Sequence, residues 1–223
     1  MSPARARKPR RPLRQRLRHP ATPALALALL VGGSAVSTGV TQPTKATASS
    51  KAASSGPVEP SVSCGKERWD IKTGTDPAAP SVDQNTIQPT TIAALDAQTA
   101  PANPTARVPP VELTLYRVTA TLTAYKVEAD SDDHLVLDDG LGRTMIAEIP
   151  APDCISTGPF KAPVSQARSA FDAKFAPIKS GFKTAAATVT VTGVGFFDRV
   201  HRQRGVAPNG IELHPVLAIS FSG

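Results

Sequence analysis

Apolar and polar residues alternate with a period of two through much of the second half of the chain. In YRVTATLTAYKVEA, Val118, Ala120, Leu122 and Ala124 fall on one face and Thr119, Thr121 and Thr123 on the other, which predicts a half-buried strand. DDHLVLDD and RTMIAEIP follow as two shorter strands, parted by the turn residues Asp139-Gly140-Leu141-Gly142. The period then changes. From Pro163 to Phe175, Val164, Ala167, Phe171 and Phe175 recur at spacings of three and four, a helical stripe with Ser165 as a candidate cap and Pro177 and Gly181 beyond its end. Alternation returns in ATVTVTGVGFFD and in IELHPVLAISF. In the latter, Ile211, Leu213, Leu217, Ile219 and Phe221 share one side, and Glu212 and His214 take the other. Pro215 has no amide hydrogen, so this last strand is expected to be an edge or to bulge there.

Three strands, a helix and two strands make a mainly β chain. The simplest closed solution is a five-stranded OB-like barrel (β-β-β-α-β-β) over 111–223, and a small open α+β sheet is the alternative. Residues 64–110 are rich in Pro, Ala, Thr and Asn, with a short helix expected only at Ile92 to Leu95. They read as an irregular segment that wraps the barrel, anchored by Trp69. Residues 49–63 have the small, polar, Pro-punctuated composition of a flexible linker.

The first 48 residues change the reading of charge. A basic stretch without acids precedes an uncharged, partly apolar run, the layout of a secretory signal; Arg10-Arg11 invites a twin-arginine route, and an uncleaved anchor is the competing reading. Nine of the 25 Lys and Arg lie before Ser49, so sixteen face 18 acids in the remainder. The basic balance of the whole chain therefore belongs to the signal. It gives no support to nucleic-acid binding, and a membrane is engaged only through an uncleaved signal segment. In an exported chain the two cysteines, Cys64 and Cys154, are expected to form a disulfide.

Two loops and the last strand carry the candidate chemistry. EADSDDH gathers Glu128, Asp130, Asp132 and Asp133 beside His134; such a run faces water, meets a cation, or pairs with Arg202 or Arg204 across the barrel mouth. RVHRQRGVAPNG holds the densest cationic cluster after residue 48, with His201, Arg202, Arg204 and the turn residue Asn209. Glu212 and His214 share a strand face, and with His201 they form a candidate divalent-metal set of nitrogen and oxygen ligands. Their spacing matches no named metal motif, and a solvated or hydrogen-bonded hairpin edge is the more frequent origin of such a set. No cofactor is required. No nucleophile elbow, phosphate loop or paired-cysteine redox motif is present.

The phrases ERWDIKTGTDP, AYKVEADSDDHLVL, RTMIAEIPAPDC, ARSAFDAKF and GVGFFDRVHRQRGVAPNGIELHPV resemble a family of exported bacterial proteins, over about Cys64 to Phe221. That resemblance implies export and implies no reaction. More distantly, ATLTAYKVEADSDDHLVLDDGLGRTMIAEIPAP looks like the first three strands of staphylococcal-nuclease-type OB domains. By that resemblance Asp130, Asp132 or Asp133 stands for the first calcium-binding acid and Asp153 for one at the end of the third strand. Another expected acid falls near Pro150 and an expected arginine near Met145, so the likeness reaches the fold and not the phosphate chemistry. The residues point first to an exported, non-enzymatic binding module for an extracellular or cell-envelope ligand. A divalent-metal-dependent hydrolase is the alternative.

Overall fold

The computed structural model describes residues 62–222. The segments expected to be a signal, 1–48, and a linker, 49–63, lie outside the described residues but for the last two positions. Among those described, no helix is long and apolar enough to cross a membrane.

The architecture is mainly β, one mixed sheet of six strands: β1 (Ile87–Thr90), β2 (Leu115–Val127), β3 (Asp133–Asp138), β4 (Thr144–Ile149), β5 (Lys183–Phe197) and β6 (Ile211–Phe221). Their order is β1-β2-β3-β4-β6-β5, and β5 also pairs with β2, so the succession β2-β3-β4-β6-β5 returns to its first strand. All pairings in this succession are antiparallel except β4 with β6. Of the three helices, α1 (Trp69–Thr73) and α2 (Ile92–Asp96) are short, and α3 (Lys161–Phe175) runs along β6.

The inward positions of the sequence pattern build the core. Val118 and Leu122 of β2, Leu135 and Leu137 of β3, Met145, Ala147 and Ile149 of β4, Val189 and Val191 of β5 and Leu213 of β6 are buried with Val164, Ala167 and Phe171 of α3. The helix stripe is as the spacing predicts, but its start is not: Phe160 is the N-cap, and the Ser165 hydroxyl donates to the Lys161 carbonyl at 2.8 Å. Ser165 already lies in the second turn, where its side chain reaches back along the helix. At Pro215 the β5–β6 register shifts, Gly193 facing Val216 and Gly195 facing Leu213. The strand bulges there, but it is no edge, because it lies between β4 and β5.

Residues 64–110 are more regular than their composition suggests. β1 pairs in parallel with β2 (Ile87 facing Leu115), and the α2 start is capped by the Thr91 hydroxyl accepting from Ala94 N–H. Trp69 is only half-buried; the anchors are Ile71 and two arginines. Arg68 donates to both oxygens of the fully buried Glu112 and to the carbonyls of Phe197 and Ala106. Arg107 forks onto Asp76 and reaches the Ile71 and Glu112 carbonyls. Paired with carboxylates and hydrogen-bonded to backbone carbonyls, these guanidiniums tolerate burial. The disulfide Cys64–Cys154 ties the same segment to the end of β4 across 90 residues.

Candidate functional site

The face of β3, β4 and β6 opposite the core is also buried, and it is ionisable. In β3 it carries His134 and Val136, in β4 Ile146 and Glu148, in β6 Glu212 and His214. The register explains the convergence: His134 pairs with Glu148, and Ile146 with Glu212, so the residues two further along β4 and β6 also adjoin. Lys72 of α1 lies against this face, near the Phe196 ring, at 5.3 Å from its centroid. The β5–β6 loop covers the rest. Gly205 adopts a φ of +90°, and a Cβ there would stand 2.7 Å from the Val136 side chain; only glycine lets the loop lie this close.

Glu148 joins two imidazoles. Its Oε1 is 3.0 Å from His134 Nδ1 and its Oε2 3.0 Å from His214 Nδ1. His134 Nε2 donates to the Arg204 carbonyl at 2.9 Å, and since Nδ1 faces the Glu148 and Glu128 carboxylates, both ring nitrogens carry protons. His214 meets carboxylates alone: Glu212 Oε1 at 3.0 Å on Nδ1, and Asp132 Oδ2 at 3.3 Å from Nε2. That last approach is off the line of a hydrogen bond, and both atoms are buried without a hydrogen-bond partner. Asp132 Oδ1 accepts from the Ala151 N–H at 3.2 Å.

Burial opposes every charge here, and the neighbours decide the outcome. Burial works against protonation of His214, but the facing carboxylates of Asp132, Glu148 and Glu212 hold it well above the ordinary imidazole range. His134 is raised against its burial chiefly by its hydrogen bond to Glu148. Glu148 is held below the usual carboxylate range despite its burial, by both histidines and Lys72. Glu212 goes the other way, pushed up by burial and by the charge of Glu148. Asp132 is raised by burial, and Asp133 is raised by burial to about 7. Lys72 is raised, Glu212, Glu148 and Asp198 outweighing its burial.

A cleft of about 450 Å³ opens onto this network. Lys72 and Glu148 belong both to its lining and to the buried cluster. Lys126 at the end of β2 and Glu128 and Asp130 of the β2–β3 loop line it on one side, His201 and Arg202 of the β5–β6 loop on the other, and Trp69 joins them. A second hollow of about 660 Å³, between Arg68, Pro104 and Val200, contains none of the histidine–carboxylate network.

The sequence candidates thus divide into three groups. Asp130, His201 and Arg202 line the cleft. Asp132, Asp133, His134, Glu212 and His214 are buried, each no more than 2% exposed, so Glu212 and His214 are not a solvated edge and the acidic run does not simply face water. The chain segments on either side of β3, β4 and β6 exclude it. Arg204 and Asn209 hold structure: the Arg204 guanidinium lies 5.1 Å from the Phe182 ring centroid, and Asn209 Nδ2 donates to the Leu95 and Gln98 carbonyls. The metal set His201, Glu212 and His214 does not assemble. His201 is exposed with Nδ1 against the Arg199 carbonyl, whereas the compact groups that include a histidine are Asp132, Glu148 and His214, and Glu128, His134 and Glu148. Nor do the acids pair with Arg202 or Arg204; Asp133 lies 2.8 Å from Arg168 Nε of α3 instead. Sequence reasoning missed Glu148, Lys72 and Arg168. A signal for the first existed: Val136, Ile146 and Phe196 are apolar at outward positions, the mark of strands covered on both faces.

No protein-family model and no curated protein matches the sequence. Among solved structures, a putative aspartyl-tRNA synthetase from Leishmania major Friedlin is similar over 60% of this chain, at 12% identity and a TM-score of 0.36. An asparaginyl-tRNA synthetase of Entamoeba histolytica is similar over 49%, at 12% identity and a TM-score of 0.31. The chain spans about a fifth of the length of either, and likeness at this level carries nothing about its activity.

Proposed function

We propose that the protein is an exported, non-enzymatic binding module that takes a small zwitterionic ligand in the cleft between the β2–β3 and β5–β6 loops. The returning strand succession and the β-β-β-α-β-β order of β2 to β6 support an OB-like barrel, in which loops of this kind frame ligands. The Cys64–Cys154 bridge supports export, since such bonds persist in oxidising compartments. The cleft lining carries the reading: Asp130 and Arg202 line it from opposite loops without ion-pair partners among the described residues, and Trp69 offers an aromatic face beside them. A metal-dependent hydrolase is supported less, because a catalytic metal keeps an open position, whereas Asp132, His134 and His214, the donors that would hold a cation with Glu148, are wholly buried.

Trp69 is the only tryptophan of the chain, so its fluorescence reports on the cleft. Titration with a panel of free α-amino acids and dipeptides is expected to shift Trp69 emission and raise Tm for at least one member. Arg202→Ala is expected to weaken that binding about tenfold or more, the worth of a charge-assisted hydrogen bond. If millimolar concentrations of every member leave both emission and Tm unchanged, the reading fails.

A further inference from the structure

We infer that Asp132, Glu148 and His214 form a buried site for one divalent transition-metal ion of the zinc class, structural in role and separate from the cleft ligand. Each residue offers one ligand atom, and the three atoms lie within 4.8 Å of one another. All three residues are buried. The atoms that carry the case are His214 Nε2 and Asp132 Oδ2. They face each other at 3.3 Å, buried, and neither has a hydrogen-bond partner. A buried polar atom left in this state is costly, so two of them facing one another require something between them. In a tetrahedral site with bonds of about 2.0–2.2 Å, ligand atoms stand roughly 3.3–3.5 Å apart, which is the separation observed for this pair.

The surroundings fit such an ion. A metal-bound imidazole commonly gives its other N–H to a carboxylate, and His214 Nδ1 donates to Glu212 Oε1 at 3.0 Å, which turns Nε2 toward Asp132. Asp132 is fixed in turn by the Ala151 N–H on its other oxygen. Glu148 lines the cleft as well as the cluster and so gives the ion a route from solvent. One nitrogen with two carboxylates suits zinc or its first-row neighbours better than calcium, which takes six or more oxygens. Asp132 precedes β3, Glu148 ends β4 and His214 belongs to β6, so the ion would clasp three strands where the antiparallel β3–β4 pair meets the parallel β4–β6 pair.

The test uses the purified full chain, prepared without chelator. Elemental mass spectrometry is expected to find about one equivalent of a transition metal, and X-ray absorption at its edge to show nitrogen and oxygen donors. Dialysis against EDTA is expected to lower Tm, and Zn²⁺ to restore it. Asp132→Asn is expected to abolish metal uptake, Glu212→Gln to weaken it about 10–100-fold, the usual effect of an outer partner, and His201→Ala to leave it unchanged. If Asp132→Asn fails to fold, the wild-type EDTA and Zn²⁺ titrations decide. A metal-free chain whose Tm ignores Zn²⁺, Mn²⁺ and EDTA overturns the assignment and leaves His214 an imidazolium among carboxylates. Stabilisation by Ca²⁺ alone overturns it as well. Loss of the cleft ligand in an Arg202→Ala chain that still takes up zinc would keep the two sites distinct.

Discussion

Two outward faces of the same sheet meet opposite fates. On β2 and β5, Thr119, Thr121 and Thr188 stay in water, and the Thr119 and Thr190 hydroxyls hydrogen-bond across the strands at 2.9 Å. On β3, β4 and β6 the equivalent outward positions hold His134, Glu148, Glu212 and His214, roofed by α1 and the β5–β6 loop. A hydroxyl gains little from such a roof. Imidazoles and carboxylates brought under one gain strong mutual interaction and in exchange lose hydration, so each group depends on its partners. Removing one partner should therefore be expensive on the covered face and nearly silent on the open one.

The largest contrast is expected at Glu148. Glu148→Ala strips two imidazoles of their common acceptor and should cost about 3–5 kcal/mol, the usual result of breaking a buried ionic group by one side. Urea denaturation of the variant and the wild type measures it. A loss under 1 kcal/mol would mean that water already reaches this face. Next comes the tie that holds the roof in place: replacing Cys64 and Cys154 together by serine should cost about 2–5 kcal/mol, read by the same titration. It should also raise hydrogen exchange in α1 before it does so in β2.

The two faces were not equally legible in the sequence. Val118, Ala120 and Leu122 against Thr119 and Thr121 give the open face directly, since alternation says which residues avoid the core. Alternation does not say whether water reaches the other side. For His134 that depends on a roof built by residues more than 60 positions away on either side, Lys72 before it and Gly205 after it. The β-β-β-α-β-β succession from β2 to β6, the α3 stripe and the disulfide were readable because each rests on local pattern or simple counting. α1 and β1 were not: α1 has one turn and β1 four residues, and both are set by Arg68, Arg107 and the β2 edge. Val136, Ile146 and Phe196 at outward positions were the available clue to the covered face.

Acidity offers a finer probe of the covered face. His134 and His214 have folded values above the unfolded imidazole value of about 6.5. Their stabilisation is therefore complete below that value and is lost as pH rises through the folded ones. Asp133, raised from 3.8 to about 7, acts in the same direction, its contribution full below 3.8 and lost as pH rises through 7. Glu148, depressed, contributes above its unfolded value and loses that contribution only as pH falls through its low folded one. The Tm of the metal-free protein should thus fall as pH rises above about 6.5. His214→Gln should flatten this slope, and a flat wild-type profile would contradict the geometry of the covered network.

The smallest effect belongs to the open face and is the control for all the others. Thr119 and Thr190 are directly opposed, so exchanging both for alanine removes one hydroxyl pair and some strand propensity while burying nothing new. Cross-strand pairs of this kind contribute about 0.2–1 kcal/mol, and solvent replaces the lost hydrogen bond on both strands. The double variant should therefore unfold within about 1 kcal/mol of the parent, with the parent's pH slope, since no titrating group lies in the pair. A double-mutant cycle separates the pair from the propensity: coupling near zero would assign the whole effect to single-residue strand preference. Coupling above 1 kcal/mol would mean that this face, like its counterpart, is withdrawn from water, most simply by contact with a second surface. The difference between the two faces would then be one of chemistry alone, and no longer one of exposure.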